Sequence, residues 1–188
     1  YVETDDPPSI DHWVKVVAEG VTAACCERNL ELPRLMCEPG RSLVATAGIT
    51  LYSVGSRKTI PGVRTYVAID GGMSDNPRPI TYQSLYTCCL ADRPLAEASE
   101  TVNLVGKHCE SGDVLLKDLN LPTTSSGDIV AVFATGAYNA SMSSNYNRIP
   151  RPAAVVVKEG SAELVQKREQ PDDLLRYDVL PERFRTLR

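Results

Sequence analysis

The sequence predicts a mainly β chain with an α/β remnant at its amino end: a β-sandwich or open barrel preceded by the last units of an α/β barrel. Three observations carry this. From Gly48 onward, short apolar runs rich in β-branched residues follow one another, separated by turn-forming Gly, Pro, Asn and Asp. Before Gly48 the rhythm is helix, short apolar run, helix, which is the grammar of an α/β unit. The chain has 188 residues, whereas a complete (β/α)8 barrel takes about 250, so at most a unit or two is expected within residues 1–48.

The elements follow in order. Ser9 is a helix N-cap, and Trp13, Val14, Val16, Val17, Val21 and Ala24 recur at helical spacing behind it. Pro33 to Cys37 reads as a short buried strand ending at Glu38-Pro39-Gly40-Arg41, and Ser42 to Ala47 as the start of a further helix. Strands are expected at Ile49–Val54, Thr65–Ile69, Leu85–Leu90, Thr101–Val105, Val114–Leu116, Ile129–Ala134, Ala153–Val157 and Ala162–Lys167. One short helix is expected near 137–144, and another starting at Pro171. The boundary between the two predicted domains, 1–48 and 49–188, falls where the period changes.

Bulk properties exclude several classes. Hydrophobic residues make up 43% and charged residues 23%, enough apolar surface for a core. The net charge is −4 with both signs interspersed, so no basic patch invites a nucleic acid. The longest apolar runs are too short to span a bilayer, so no membrane segment is expected. The six cysteines, at 25, 26, 37, 88, 89 and 109, show no Cys-x-x-Cys zinc spacing, so no metal is expected. They do not form a secreted disulfide framework either. Reduced thiols in the cytoplasm, or an equivalent reducing compartment such as a plastid, are expected. Five of them read as small buried hydrophobes; Cys109 is the exception.

Four motifs carry chemistry: Glu38-Pro39-Gly40-Arg41, Asp70-Gly71-Gly72-Met73-Ser74-Asp75-Asn76-Pro77-Arg78 with Tyr82, Gly106-Lys107-His108-Cys109-Glu110-Ser111-Gly112-Asp113, and Gly136-Ala137-Tyr138. Each alone suits a blander role: a turn with a surface ion pair, a loop arginine beside a half-buried tyrosine, a buried cysteine, a core aromatic. Together, in this order, the chain resembles diaminopimelate decarboxylase, of the fold-type III pyridoxal-phosphate decarboxylases that also act on ornithine and arginine. The similarity reaches the Tyr146-Asn147-Arg148-Ile149-Pro150-Arg151-Pro152 segment.

The resemblance implies specific roles. Glu38 would lie against the cofactor's pyridine nitrogen, and Gly40, Arg41 and Tyr138 would contact cofactor phosphate or substrate. Arg78, Tyr82 and Glu110 would grip the distal amino-acid head of meso-diaminopimelate, whose ammonium falls to Glu110. Cys109 would return a proton after carbon dioxide leaves, reaching across a homodimer interface into the partner's site. The product would be L-lysine. His108 reads as structural and His12 as a surface residue. The family's Schiff-base lysine matches none of Lys15, Lys58, Lys107, Lys117, Lys158 and Lys167. The chain alone is therefore expected not to decarboxylate. Two other readings stand beside this one: a related ornithine, arginine or polyamine-type decarboxylase, and a non-catalytic dimerisation or binding module.

Overall fold

The computed structural model describes residue 2 and residues 5–185. It opens with α1 (Ile10–Glu27), where Ser9 caps the first turn by accepting the His12 backbone N–H at 3.2 Å. After an irregular stretch come α2 (Arg41–Val44) and a 3-10 turn at Ala45–Ala47. Eight strands follow: β1 (Thr50–Ile60), β2 (Arg64–Ile69), β3 (Cys88–Leu90), β4 (Glu100–Val105), β5 (Val114–Leu121), β6 (Ile129–Val132), β7 (Ala154–Lys158) and β8 (Ser161–Gln166). Short helices interrupt them: α3 (Arg78–Tyr82) and α4 (Asn139–Met142), with α5 (Pro171–Leu175) and α6 (Glu182–Arg185) after β8. No described helix is long and apolar enough to cross a membrane.

Six strands form one sheet in the order β3-β6-β1-β2-β4-β5, antiparallel throughout except where β2 runs parallel to β4. β1 turns this sheet into an open-barrel wall. Its first half pairs with β6 (Thr50 opposite Val132 through Ser53 opposite Ile129), and its second half pairs with β2. Between Val54 and Arg57 the register shifts, and such an irregularity bends a strand and increases its twist. Inward-facing Tyr52, Val54, Val67, Ile69, Leu90, Val102, Leu104, Leu116, Val130 and Val132 meet in one buried cluster. β7 and β8 stand apart as a two-stranded hairpin.

The strand positions match the sequence reading, with β1, β5 and the ends of β3 and β6 differing in extent. The α/β remnant does not match in full. Residues 33–37 form no strand and are exposed rather than buried. A single parallel-type strand has nothing to pair with unless neighbours complete its ladder, and no described strand lies beside this one. Glu38 consequently does not sit at a strand end; it lies in an exposed, irregular segment. The cysteines also divide differently. All six are free, but only Cys25 is fully buried; Cys88 and Cys89 are partly covered, and Cys26 and Cys37 are exposed along with Cys109. Burial pushes the Cys88 thiol up to about 12, which keeps it protonated and unreactive.

Candidate active site

The site residues gather in two groups. The first surrounds a cavity of about 450 Å³ lined by Arg41, Arg78, Leu85, Tyr86 and Ala137, among others. Arg78 opens α3, whose start is set by Pro77 and Pro79 on either side of it. Its guanidinium lies 5.1 Å from the centre of the Tyr82 ring, four residues on, and 4.7 Å from that of Tyr138. Two aromatic faces hold the cation in place at the cavity. The Tyr138 backbone is left-handed at φ 71°. A non-glycine residue there is uncommon and is held by its surroundings. The Tyr138 hydroxyl approaches Gly40 within 3.9 Å of where a Cβ would stand. Gly40, Arg41, Arg78, Tyr82 and Tyr138 are thus brought together from three separate segments.

Tyr86 belongs to this group and escaped the sequence reading. It is buried, and its hydroxyl lies 3.4 Å from Asn139 Oδ1. Burial raises its pKa, while the charges of Arg78 and Arg41 pull it back; both guanidiniums therefore bear on one phenol. Tyr86 falls within Leu85–Leu90, a run that reads as strand. The spacing Arg78, Tyr82, Tyr86 was the available signal, but the helix that would align all three ends at Gln83, φ 54°.

The second group is the β4–β5 loop that carries Cys109 and Glu110. Asp113 shapes it from beneath, accepting from His108 Nδ1 at 2.6 Å, the His108 backbone N–H at 3.0 Å and the Met73 N–H at 2.7 Å. Gly106 has to be a glycine, since a Cβ would stand 2.0 Å from the Asp113 carboxylate. His108 is buried and committed to this pair, which fits a structural role. A neighbouring buried pair, the Tyr52 hydroxyl donating to Asp75, fixes the preceding Gly-Gly turn. Burial raises the Asp75 pKa, opposed by the Tyr52 hydrogen bond, and burial likewise raises that of Tyr52, helped by Asp75.

Cys109 is exposed, with its N–H donated to Asn147 Oδ1 at 2.8 Å. Glu110 lies 3.3 Å from the Tyr146 hydroxyl. The loop rests on α3, where a Cβ on Gly112 would meet Ile80 at 2.7 Å. No hydrogen bond or ion pair among the described residues joins Cys109 or Glu110 to Arg78. Glu38 stands in neither group.

Two arginines, the phenol hydroxyls of Tyr82, Tyr86 and Tyr138 and a small residue at the edge suit a ligand bearing phosphate or carboxylate oxygens. None of the six lysines lines the cavity, so the described residues fit the anionic parts of a pyridoxal phosphate complex but supply no covalent anchor.

Comparison with known proteins agrees with this donor chemistry. Residues 10–136 match the family model for the pyridoxal-dependent decarboxylase C-terminal sheet domain. A diaminopimelate decarboxylase from Synechocystis is 58% identical over 98% of this chain and 39% of its own length. One from Bacillus subtilis is 49% identical over 95% of this chain and 41% of its own. The diaminopimelate decarboxylase of M. jannaschii, solved in complex with L-lysine, superposes with a TM-score of 0.84 at 35% identity, covering 96% of this chain and 41% of that one. The chain thus spans about two fifths of the length of the relatives it matches.

Proposed function

The chain belongs to the pyridoxal-dependent decarboxylases through their C-terminal sheet domain, and on that footing we propose that the protein carrying it is a meso-diaminopimelate decarboxylase. It would release carbon dioxide from one stereocentre to give L-lysine, the molecule held by the M. jannaschii relative. Residues 1–48 would complete the cofactor barrel, and residues 49–188 would form the sheet domain of a cytoplasmic homodimer with shared sites. The observation that carries the substrate assignment is the Arg78 guanidinium held between Tyr82 and Tyr138 at the cavity lined by Arg41.

The roles follow from chemistry. Pyridoxal phosphate, when bound, supplies an electron sink for the carbon–carbon bond broken. Gly40 leaves room for, and Arg41 and Tyr138 hydrogen-bond, a phosphate or the substrate's reacting carboxylate. Glu38 would accept a hydrogen bond from the pyridinium N–H once the barrel presents it. Arg78 and Tyr82 take the distal carboxylate, and Glu110 the distal ammonium. This combination of acid and base selects a zwitterionic far end over the plain amine of ornithine. Cys109 delivers a proton to the carbon that lost its carboxyl group, within the partner subunit's site. With no lysine at the cavity, the chain by itself would leave added pyridoxal phosphate with the spectrum of the free cofactor.

The test is turnover of the complete protein on meso-diaminopimelate and on ornithine. Arg78→Lys keeps the charge but loses the fork, and is expected to lower kcat/KM on diaminopimelate about 100-fold. A preference for ornithine, or an indifferent Arg78→Lys variant, would sink the substrate assignment.

A further inference from the structure

The Cys109-Glu110 dipeptide sits in a glycine-containing loop whose own bonds, the Glu110 N–H to the His108 carbonyl at 2.8 Å and the Gly112 N–H to Glu110 Oε1 at 3.3 Å, do not engage the Cys109 N–H. Asp113 fixes the buried base of that loop. The exposed tip is held from elsewhere, by two adjacent residues of the 3-10 turn at Tyr146–Arg148. Asn147 Oδ1 accepts the Cys109 N–H at 2.8 Å, and the Tyr146 hydroxyl reaches Glu110 Oε2 at 3.3 Å. The Tyr146 ring also stacks on His108, centroids 6.1 Å apart and planes 22° from parallel.

Local preference does not account for this turn. Asn147 and Arg148 both have φ 56°, the left-handed region, which asparagine tolerates and arginine does not favour. Such backbone persists where the surroundings over-determine it, and here they do. Asn145 Nδ2 donates to Glu169 at 2.6 Å and to the Ile149 carbonyl at 3.1 Å. Arg148 Nη1 donates to the Leu174 carbonyl at 3.0 Å and to Asp178 at 2.9 Å. On the near side, the Ser144 N–H donates to the Ser74 carbonyl at 2.8 Å. Several bonds therefore hold a turn in which Asn147 and Arg148 are left-handed, and Asn147, with its neighbour Tyr146, touches the Cys109-Glu110 pair.

We propose that Asn147 and Tyr146 are positioning residues for this pair: Asn147 directs the Cys109 thiol through its backbone amide, and Tyr146 steadies the Glu110 carboxylate. This rests on the reading of Cys109 as proton donor and Glu110 as partner of the substrate ammonium. Bond length ranks the two contacts. The Asn147 bond is well formed, whereas 3.3 Å is long for a hydroxyl on a carboxylate, so the larger effect belongs to Asn147.

The experiment compares the complete protein with its Asn147→Asp, Asn147→Gly and Tyr146→Phe variants. Aspartate keeps an oxygen acceptor, glycine accepts the same φ without one, and phenylalanine keeps the ring without the hydroxyl. Asn147→Gly is expected to lower kcat on meso-diaminopimelate about 10-fold with KM within about twofold, and Asn147→Asp to recover most of it. Tyr146→Phe is expected to raise KM about threefold at unchanged kcat. Peptide-resolved labelling with iodoacetamide adds a readout that needs no substrate. Asn147→Gly should shift the Cys109 rate about threefold while the exposed Cys26 and Cys37 keep theirs. Unchanged labelling and kcat in Asn147→Gly overturn the proposal, as does an equal shift at all three cysteines, which marks general loosening. An unchanged KM in Tyr146→Phe removes Tyr146 from it. A wild-type protein inert towards diaminopimelate defeats the activity reading instead, and the labelling comparison then decides this proposal alone.

Discussion

The six-stranded sheet and the segments flanking it are built from similar residues with opposite outcomes. In the sheet, Val67, Val102, Leu104, Val130 and Val132 are fully withdrawn from water. On α1, Trp13 and Val16 remain 44% and 53% exposed, and on the β7–β8 hairpin Val157 remains 69% exposed. Apolar spacing is equally regular in both regions. The difference is that the sheet closes upon itself through β1, whereas α1 and the hairpin leave most of their large apolar side chains exposed. Hydrophobic pattern thus specifies which face wants cover; only a neighbour supplies it.

The contrast can be broken by substitution. Leu104→Ala should have the largest effect, a loss of about 3 kcal/mol in urea unfolding, because the site is fully enclosed. Gly136→Ala comes next and probes the seam between the regions. The Gly136 N–H donates to Ala45 at 3.0 Å, and an added Cβ would stand 1.9 Å from the Val44 carbonyl oxygen. We expect about 2 kcal/mol of destabilisation and faster hydrogen exchange at the Gly48 and Gly136 amides.

A smaller effect is expected at the Arg151–Glu169 pair, which ties the hairpin's flanks through two Arg151 N–H groups that both donate to Glu169 Oε1, at 2.6 and 2.8 Å. The Arg151 hydrogen bond holds the Glu169 carboxyl down at about 2, below the ordinary value of about 4.3. Because the folded value is the lower one, the pair's stabilisation is present above about pH 4.3 and lost as pH falls towards 2. Melting curves should therefore separate wild type from Glu169→Gln at pH 7 by roughly 1 kcal/mol and converge near pH 2. Last, Val156→Ser on the hairpin should cost under about 0.5 kcal/mol in a monomeric chain. A cost matching that of Leu104→Ala would mean a surface covers the hairpin, and the comparison would fail there.

Legibility followed the same division. The strands of the sheet were readable because alternation, β-branching and turn residues agreed with the tertiary arrangement. Residues 33–37 had the composition of a strand but not the partners, so the expected strand and the burial of Cys37 did not appear. In the site, Arg78, Tyr82 and Tyr138 were identifiable from motif and order. Tyr86 was not, because its role depends on Arg78 and Arg41 converging on it in space. Asn147 was passed over as one letter of a Pro-Arg-Pro-bearing segment, since its bond to Cys109 spans 38 positions.

The sequence by itself determined the family, the strand positions and the chemical types at the cavity, since motif order, period and side-chain identity are written along the chain. Tertiary structure alone decided that Arg78 lies between two tyrosines, that Asp113 braces the Cys109 loop, and that Asn147 holds its tip. Those facts depend on distances between residues remote in sequence, and folding sets such distances through burial and hydrogen-bond satisfaction that no local pattern encodes.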